Sequence, residues 1–256
     1  VIPIVTLLTD FGLRDPYVGQ MKGVLLSHCP SARIVDLTHN VPAQDVGVGA
    51  FFLKKSWQYF PEGTIHLPVV DPGVGTERAV VVLRRDGHLF LGPDNGLLSG
   101  VAEGAEVFRI RDDVEISSSL SNTFHGRDLF APVVGMLANG KPPEELGEKM
   151  SAEDLVVCPL HESKIGARGE IIGEVLFADH FGNLVTNLEV KTLSSAAKVF
   201  LKGMAIPLVR TYGEGESGKL CGLVNSFGVI EVAVPMGSAA DFLGAKRGDL
   251  VTIKEH

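Results

Sequence analysis

The stretch Ile2-Pro3-Ile4-Val5-Thr6-Leu7-Leu8-Thr9, closed by Asp10-Phe11-Gly12 and followed by Asp15-Pro16, decides the fold. A short apolar run rich in β-branched residues forms a strand buried on both faces. Asp10 cuts the run short and no basic flank precedes it, so a buried first strand is expected rather than a leader segment. Asp15-Pro16 supplies an N-cap and a proline at the first helical position, predicting a helix towards His28. Further along, Arg33 to Leu37 reads as a strand. Pro42 to Tyr59 has helical spacing, with Val46, Ala50, Leu53 and Trp57 on one face. Strands are expected at Thr64 to Val70, Ala79 to Arg84 and His88 to Leu91, and helices at Asn95 to Val101 and Leu129 to Ala138. This alternation predicts an α/β sandwich with a mainly parallel sheet.

The pattern changes after about residue 140, where Lys141-Pro142-Pro143-Glu144-Glu145 is polar and proline-rich. Short β patterns follow at Glu170 to Ala178, Leu184 to Asn187, Lys198 to Leu201, Ile206 to Arg210, Leu220 to Val224, Ile230 to Val234 and Leu250 to Ile253. Short strands between Gly-rich turns predict a small all-β, barrel-like domain. The organisation expected is an α/β domain over 1–150, a linker over 151–167 and the β domain over 168–256.

The 256 residues carry 23 Lys and Arg against 31 Asp and Glu, a net charge of −8. That sign argues against a nucleic-acid binder, which needs a basic footprint. No apolar run approaches the ~20 residues of a membrane helix. Cys29, Cys158 and Cys221 are far apart and form no C-x-x-C. They read as reduced thiols, and with them a cytoplasmic location is expected.

Several loops carry candidate chemistry. Asp10 ends the first strand, and ligands of open α/β sheets bind beyond strand carboxyl ends. Asp71-Pro72-Gly73-Val74-Gly75 ends the third, and its glycines permit a tight turn from which Arg78 can return towards Asp71. Thr123-Phe124-His125-Gly126-Arg127-Asp128 sets His125 in a glycine-containing loop beside an Arg and an Asp, where an imidazole can exchange protons near neutrality. Asp179-His180-Phe181-Gly182-Asn183 and Asn225-Ser226-Phe227-Gly228, the latter followed by Glu231, each join an aromatic ring to a polar turn. An aromatic ring beside an amide can stack on a purine and read its edge. A turn alone also explains these residue types.

Together these blocks resemble the S-adenosylmethionine hydroxide adenosyltransferases, the adenosine-forming S-adenosylmethionine hydrolases, whose relatives include fluorinase and chlorinase. The resemblance is carried by Thr9-Asp10-Phe11-Gly12 with Asp15, Tyr17-Val18-Gly19-Gln20-Met21-Lys22-Gly23, the Asp71 block, Gly92-Pro93-Asp94-Asn95-Gly96, the His125 block, the Asp179 block and Asn225-Ser226, in that order. It implies attack on the 5′-carbon of S-adenosylmethionine with methionine leaving. Asp71, Arg78 and His125 would attend the water, and Asp10 would bind the ribose. Asp179 and Ser226 would lie near methionine, Asn183 would read the purine, and Phe181 and Phe227 would be walls. Phe11, Asp15, Asn95, Gly126 and Met236 are further substrate-binding candidates, with Glu231 a candidate for the amino-acid end. The resemblance also implies a homotrimer with sites at subunit interfaces. S-adenosylmethionine is then substrate, and neither cofactor nor metal is expected.

Halide-using relatives carry a non-acidic side chain where this chain has Asp71, and fluorinase has a small hydroxyl in place of Gly126. A carboxylate at roughly 4 Å repels a halide by several kcal/mol in a dry pocket. Fluorinase also has an insertion after the fourth strand, where Leu83-Arg84-Arg85-Asp86-Gly87-His88 runs straight on here. Water is therefore the expected nucleophile, with the proton acceptor open between Asp71 and His125. Two other readings are a non-catalytic nucleoside or S-adenosylmethionine sensor and a metal-dependent phosphohydrolase built on Asp10, Asp71, His39 and His125.

Overall fold

The computed structural model describes residues 2–114, 120–158, 163–189 and 197–254. The chain forms two compact units, Val1–Leu160 and His161–His256.

The first unit contains β1 (Ile4–Thr9), α1 (Tyr17–His28), β2 (Arg33–Thr38), α2 (Val46–Ser56), β3 (Ile65–Val69), β4 (Val80–Arg85), β5 (His88–Pro93), β6 (Glu106–Ile110), α3 (Ala131–Ala138), α4 (Pro143–Leu146) and β7 (Gly147–Met150). One seven-stranded sheet runs in the order β2-β1-β3-β5-β4-β6-β7. β1 pairs in parallel with β2 and β3, and β3 with β5, whereas β4 opposes β5 and β6, and β7 opposes β6. Only β4 and β7 therefore run against the common direction, and the sheet is largely parallel. Met21 and Leu25 of α1 and Val133, Val134 and Leu137 of α3 pack with Val5, Leu7 and Leu67. α2 covers the opposite face, where Gly49 lies against Val70 and Leu97 and a Cβ would press into both.

Helix starts differ from the sequence expectation for local reasons. α1 begins at Tyr17 with Pro16 in the cap position and no side-chain cap, so Asp15 does not cap it. α2 begins at Val46, not Pro42, because Gln44 takes a left-handed backbone (φ +64°) and Asp45 then caps by accepting from the Val48 amide at 3.0 Å. Asn95 to Val101 holds only a 3₁₀ turn at Ser99–Val101, since Gly96 at φ +94° cannot continue a helix. A π-helical turn, Gly126–Phe130, precedes α3. β6 and β7 extend the sheet beyond the strands expected from the sequence.

The second unit contains β8 (Lys164–Ile165), β9 (Ile171–Ala178), β10 (Leu184–Glu189), β11 (Lys198–Leu201), β12 (Met204–Pro207), β13 (Cys221–Val224), β14 (Val229–Ala233), α5 (Ala239–Leu243) and β15 (Leu250–Lys254). Its antiparallel sheet runs β12-β11-β15-β9-β10-β14-β13, with β8 beside β9. The Val209 amide donates to the Gly222 carbonyl at 2.9 Å, so the two ends of this order approach and the sheet is a nearly closed barrel. β12 starts before the expected Ile206. Lys202 and Gly203 both have positive φ, forming a two-residue hairpin turn, and Pro207 ends the strand. No helix among the described residues is long and apolar enough to cross a membrane. The cysteines are free thiols, with Cys29 and Cys221 buried.

Candidate active site

In the first unit, parallel pairing of β1 with β3 sets Thr9 opposite Val69, so Asp10 and Asp71 emerge from the same sheet edge. The Asp71 loop turns sharply, and Gly75 sits at φ +81° against Asn122. Any Cβ at Gly75 would run into the Asn122 carbonyl oxygen. The glycine thus lets this turn press against the backbone of the His125 loop, beside which three side chains meet.

Arg78 is the centre of that group. Its Nε donates to Asp71 Oδ1 at 2.7 Å, and one terminal nitrogen pairs with Asp71 Oδ2. The same nitrogen donates to His125 Nδ1 at 3.0 Å. The guanidinium also lies over the Phe130 ring, 5.3 Å from its centroid. The Arg78 and Asp71 side chains are 9% and 6% exposed, and His125 is 8% exposed. Burial, followed by the charge of Arg78, lowers the His125 pKa below 6.5, against the smaller raising effects of Asp71 and Asp128. Arginine has no acceptor, so Nδ1 must supply the lone pair and the proton of the neutral ring resides on Nε2.

Asp71 and His125 line a cavity of about 410 Å³ together with Phe11, Tyr17, Phe124 and Gly126. The three rings meet edge to face, with centroids 5.3–6.2 Å apart. At Gly126 a Cβ would sit 3.0 Å from Met21 Sδ and 3.5 Å from Phe11 Cζ, so a side chain there would crowd the cavity wall. Arg127 pairs with Asp128, bonds Gln20 Oε1 at 3.2 Å and covers the Phe124 ring. Tyr17 and Phe124 were not singled out as site residues, although both lie in the blocks that carry the resemblance.

The other candidates of this unit divide. Asp10 Oδ2 accepts the Gln44 amide at 2.8 Å, leaving Oδ1 without a partner among the described residues. Asp15 is exposed and does not line the cavity. Asn95 turns inward, donating to the Val70 carbonyl at 2.9 Å and accepting from the Leu97 amide at 3.1 Å. Its side chain anchors the backbone that leads into Asp71. Among the described residues, no group of three or more His, Cys, Asp or Glu can hold a metal ion, so the phosphohydrolase constellation is not assembled.

In the second unit, Asp179 closes the β9–β10 turn. Its Oδ1 accepts the amides of Phe181 and Asn183 at 2.9 and 2.8 Å, and its Oδ2 accepts Asn183 Nδ2 at 3.0 Å. Gly182, at φ +81°, lies against Ser238. Phe181 is 72% exposed and Met236 is 97% exposed, while Asn183 is buried. Ser226 is exposed, and Phe227 follows an Asn225 side chain that accepts its amide at 2.9 Å. The Asp179 and Ser226 turns lie at opposite ends of β14, with Glu231 between them. Glu231 is buried and accepts from Tyr212 Oη at 2.5 Å and Asn225 Nδ2 at 3.1 Å. Burial raises its pKa despite these bonds, and raises that of Tyr212 as well. Glu231 thus anchors Tyr212 and Asn225. Tyr212 had no signal in the sequence, where it sits in a Gly- and Glu-rich turn.

The comparisons agree over nearly the whole chain. Residues 5–147 match the family model for the SAM hydroxide adenosyltransferase N-terminal domain, and residues 173–252 match that for its C-terminal domain. The (R)-S-adenosyl-L-methionine hydrolase of Thermus thermophilus is 41% identical, covering 94% of this chain and 95% of its own length. That of Salinispora tropica is 39% identical over 98% and 97%. Fluorinases are more distant, the one from Actinoplanes sp. being 28% identical. A crystal structure of an uncharacterized conserved protein from Thermotoga maritima superposes with a TM-score of 0.89 at 34% identity, covering 97% of this chain and 99% of that one.

Proposed function

The chain belongs to the S-adenosylmethionine hydroxide adenosyltransferase family, and from that membership we infer that it is an S-adenosyl-L-methionine hydrolase. Water attacks the ribose 5′-carbon, the C–S bond breaks, and adenosine, L-methionine and one proton are released. The observation that carries the water-activating assignment is Arg78 holding both Asp71 and His125 at the wall of an aromatic cavity. Family membership alone does not give these residues their roles. Their geometry supports them.

The leaving group is a sulfonium that departs as a neutral thioether, so the reaction needs neither acid nor metal on that side, and no cofactor. Bulk water, with a pKa near 15.7, is a poor nucleophile. Asp71 keeps lone pairs free beyond its two bonds to Arg78 and can orient a water in line with the C–S bond. His125, with Nδ1 occupied by Arg78, can donate through Nε2 and hold the same oxygen. As the C–O bond forms, the attacking water becomes acidic, and the Asp71 carboxylate can take its proton. Charge between the oxygen and the sulfonium is neutralised in the transition state, which a water-poor pocket favours.

Asp10, through its free Oδ1, is the ribose carboxylate, and Phe11 and Gly126 shape the nucleoside cavity. Asn183, Phe181, Phe227, Asp179 and Ser226 are assigned to the purine and methionine ends. The active assembly is a homotrimer with sites where chains meet, and its location is the cytoplasm.

Incubating the purified protein with S-adenosylmethionine in ¹⁸O-water, without metal or halide, tests this reading. Chromatography should show adenosine labelled at the 5′-hydroxyl together with methionine. Binding without turnover would identify a sensor, and halide-dependent formation of a 5′-halogenated nucleoside would identify a halogenase. Either outcome would reject the reading.

A further inference from the structure

A polar chain, part-exposed at Lys22 and Asp36 and buried at His39 and Thr9, links β2 to the Asp10 turn. Lys22 Nζ donates to Asp36 Oδ2 at 2.6 Å, and Asp36 Oδ1 lies 3.0 Å from His39 Nε2. His39 Nδ1 meets Thr9 Oγ1 at 2.8 Å, and Thr9 Oγ1 accepts the Phe11 amide at 3.2 Å. Thr9 is fully buried and His39 is 3% exposed. One direction of proton donation fits these contacts. Nε2 makes no hydrogen bond among the described residues and meets Asp36 Oδ1 only as a close contact at 3.0 Å, which puts its proton on the carboxylate side. Nδ1 then accepts from the Thr9 hydroxyl, whose oxygen is left to receive the Phe11 N–H.

The order of groups is that of a nucleophile triad, but no reactant can reach a hydroxyl at 0% exposure. What the chain does reach is the backbone on both sides of Asp10. The Gly12 amide donates to the His39 carbonyl at 2.7 Å, and the Val41 amide donates to the Thr9 carbonyl at 3.3 Å. Three residues later Gln44, at φ +64°, aims its amide at Asp10 Oδ2. Left-handed backbone at a glutamine is unfavourable and persists where surrounding contacts over-determine it.

We propose that Thr9, His39 and Asp36 are positioning residues that lock the Asp10-Phe11-Gly12 turn, so that they set nucleoside affinity rather than the rate of the chemical step. This rests on the nucleoside-binding role proposed for Asp10. Rigid support of a contacting side chain by buried hydrogen bonds is a general requirement of precise binding sites. Removing it loosens binding of substrate and transition state alike, which raises KM and leaves kcat.

The test uses the full chain. Thr9→Val removes the hydroxyl at nearly constant volume, Thr9→Ser retains it, and Asp36→Asn acts from the half-exposed end. Calorimetry with adenosine, steady-state kinetics and thermal melting are measured for each. Thr9→Val should weaken adenosine binding and raise KM about tenfold with kcat within about twofold. Thr9→Ser should resemble wild type, and Asp36→Asn should shift the same two quantities by a smaller factor. A purely structural role would lower the melting temperature and leave adenosine affinity unmoved, which overturns the proposal. So does a fall in kcat at unchanged KM. If Thr9→Val does not fold, Asp36→Asn decides alone. A wild-type chain that binds adenosine but does not cleave S-adenosylmethionine defeats the hydrolase reading, while the relay is still judged on adenosine affinity. A wild-type chain that binds no adenosine overturns the role of Asp10 and this proposal with it.

Discussion

Arg78 donates to His125 Nδ1 at 3.0 Å, so the imidazole beside the candidate nucleophile site is neutral, with its proton on Nε2. An arginine that also pairs with Asp71 makes this histidine harder to protonate. Burial acts in the same direction.

The pH dependence of activity follows from that contact. The His125 pKa is lowered, so the ring is neutral at pH 7 and protonates only below the ordinary value of 6.5. Protonation removes the lone pair that accepts from Arg78 and sets a second positive charge beside it. The profile of kcat/KM should show an acid limb with its midpoint below 6.5. A limb centred above 6.5 contradicts the contact.

The trio should respond as a unit. Asp71→Asn and His125→Ala are each expected to slow turnover by about 10²–10⁴-fold, the usual cost of one orienting or proton-transfer group. Arg78→Lys should behave similarly, since a lysine point charge cannot hold Asp71 in a fork and still reach His125. Adenosine affinity, read by calorimetry, should stay within a few fold for all three. Near-normal turnover in these variants would remove the trio from the mechanism.

Acid should destabilise the first unit through a separate histidine. His66 is fully buried, bonded to Thr6 Oγ1 at 2.8 Å and to His88 Nδ1 at 3.1 Å, and stacked on Phe90. Burial, and then the charge of His88, lowers its pKa to about 3. The unfolded chain therefore binds a proton near 6.5 that the folded chain refuses, so stability is full above 6.5 and falls as pH drops towards 3. The slope for one such group approaches ~1.4 kcal/mol per pH unit. Urea melts from pH 7 to 4 should follow this trend, and His66→Phe should flatten it. An equal slope in both proteins would show that other groups govern acid unfolding.

The oligomer proposal has a direct complementation test. Asp71→Ala and Asn183→Ala, unfolded and refolded together in equal amounts, combine at random. If each site takes Asp71 from one chain and Asn183 from another, about a quarter of sites receive both intact residues. Activity near that fraction supports shared sites. Activity no higher than in the separate variants rejects them.

How far the sequence carried depended on the range of the interactions involved. The buried run ending at Thr9, the alternation of strands and helices in the first five strands, and the short β segments from residue 170 onwards were legible, because hydrophobic periodicity is a local property, whereas the short β8 lacks it. Helix starts were less so. The first turn expected at Pro42 is lost because Gln44 takes a left-handed backbone, its amide held by Asp10, a residue 34 positions earlier. Asn95 is expected to open a helix and, by resemblance, to meet substrate, and only the fold shows both ends of its amide bonded to backbone.

The sequence by itself determined the family, through ordered blocks around Asp10, Asp71, His125, Asp179 and Asn225, and it determined which residue types stand at the candidate site. Tertiary structure alone decided that Arg78 bridges Asp71 to a histidine 47 residues away and that Asp15 stays outside the cavity. It also decided that Glu231 anchors Tyr212 and Asn225. The reason is physical. Residue types follow from the sequence, but the donors and acceptors that face one another, and so the protonation state of each group, are set by close packing between segments that the chain brings together only when folded.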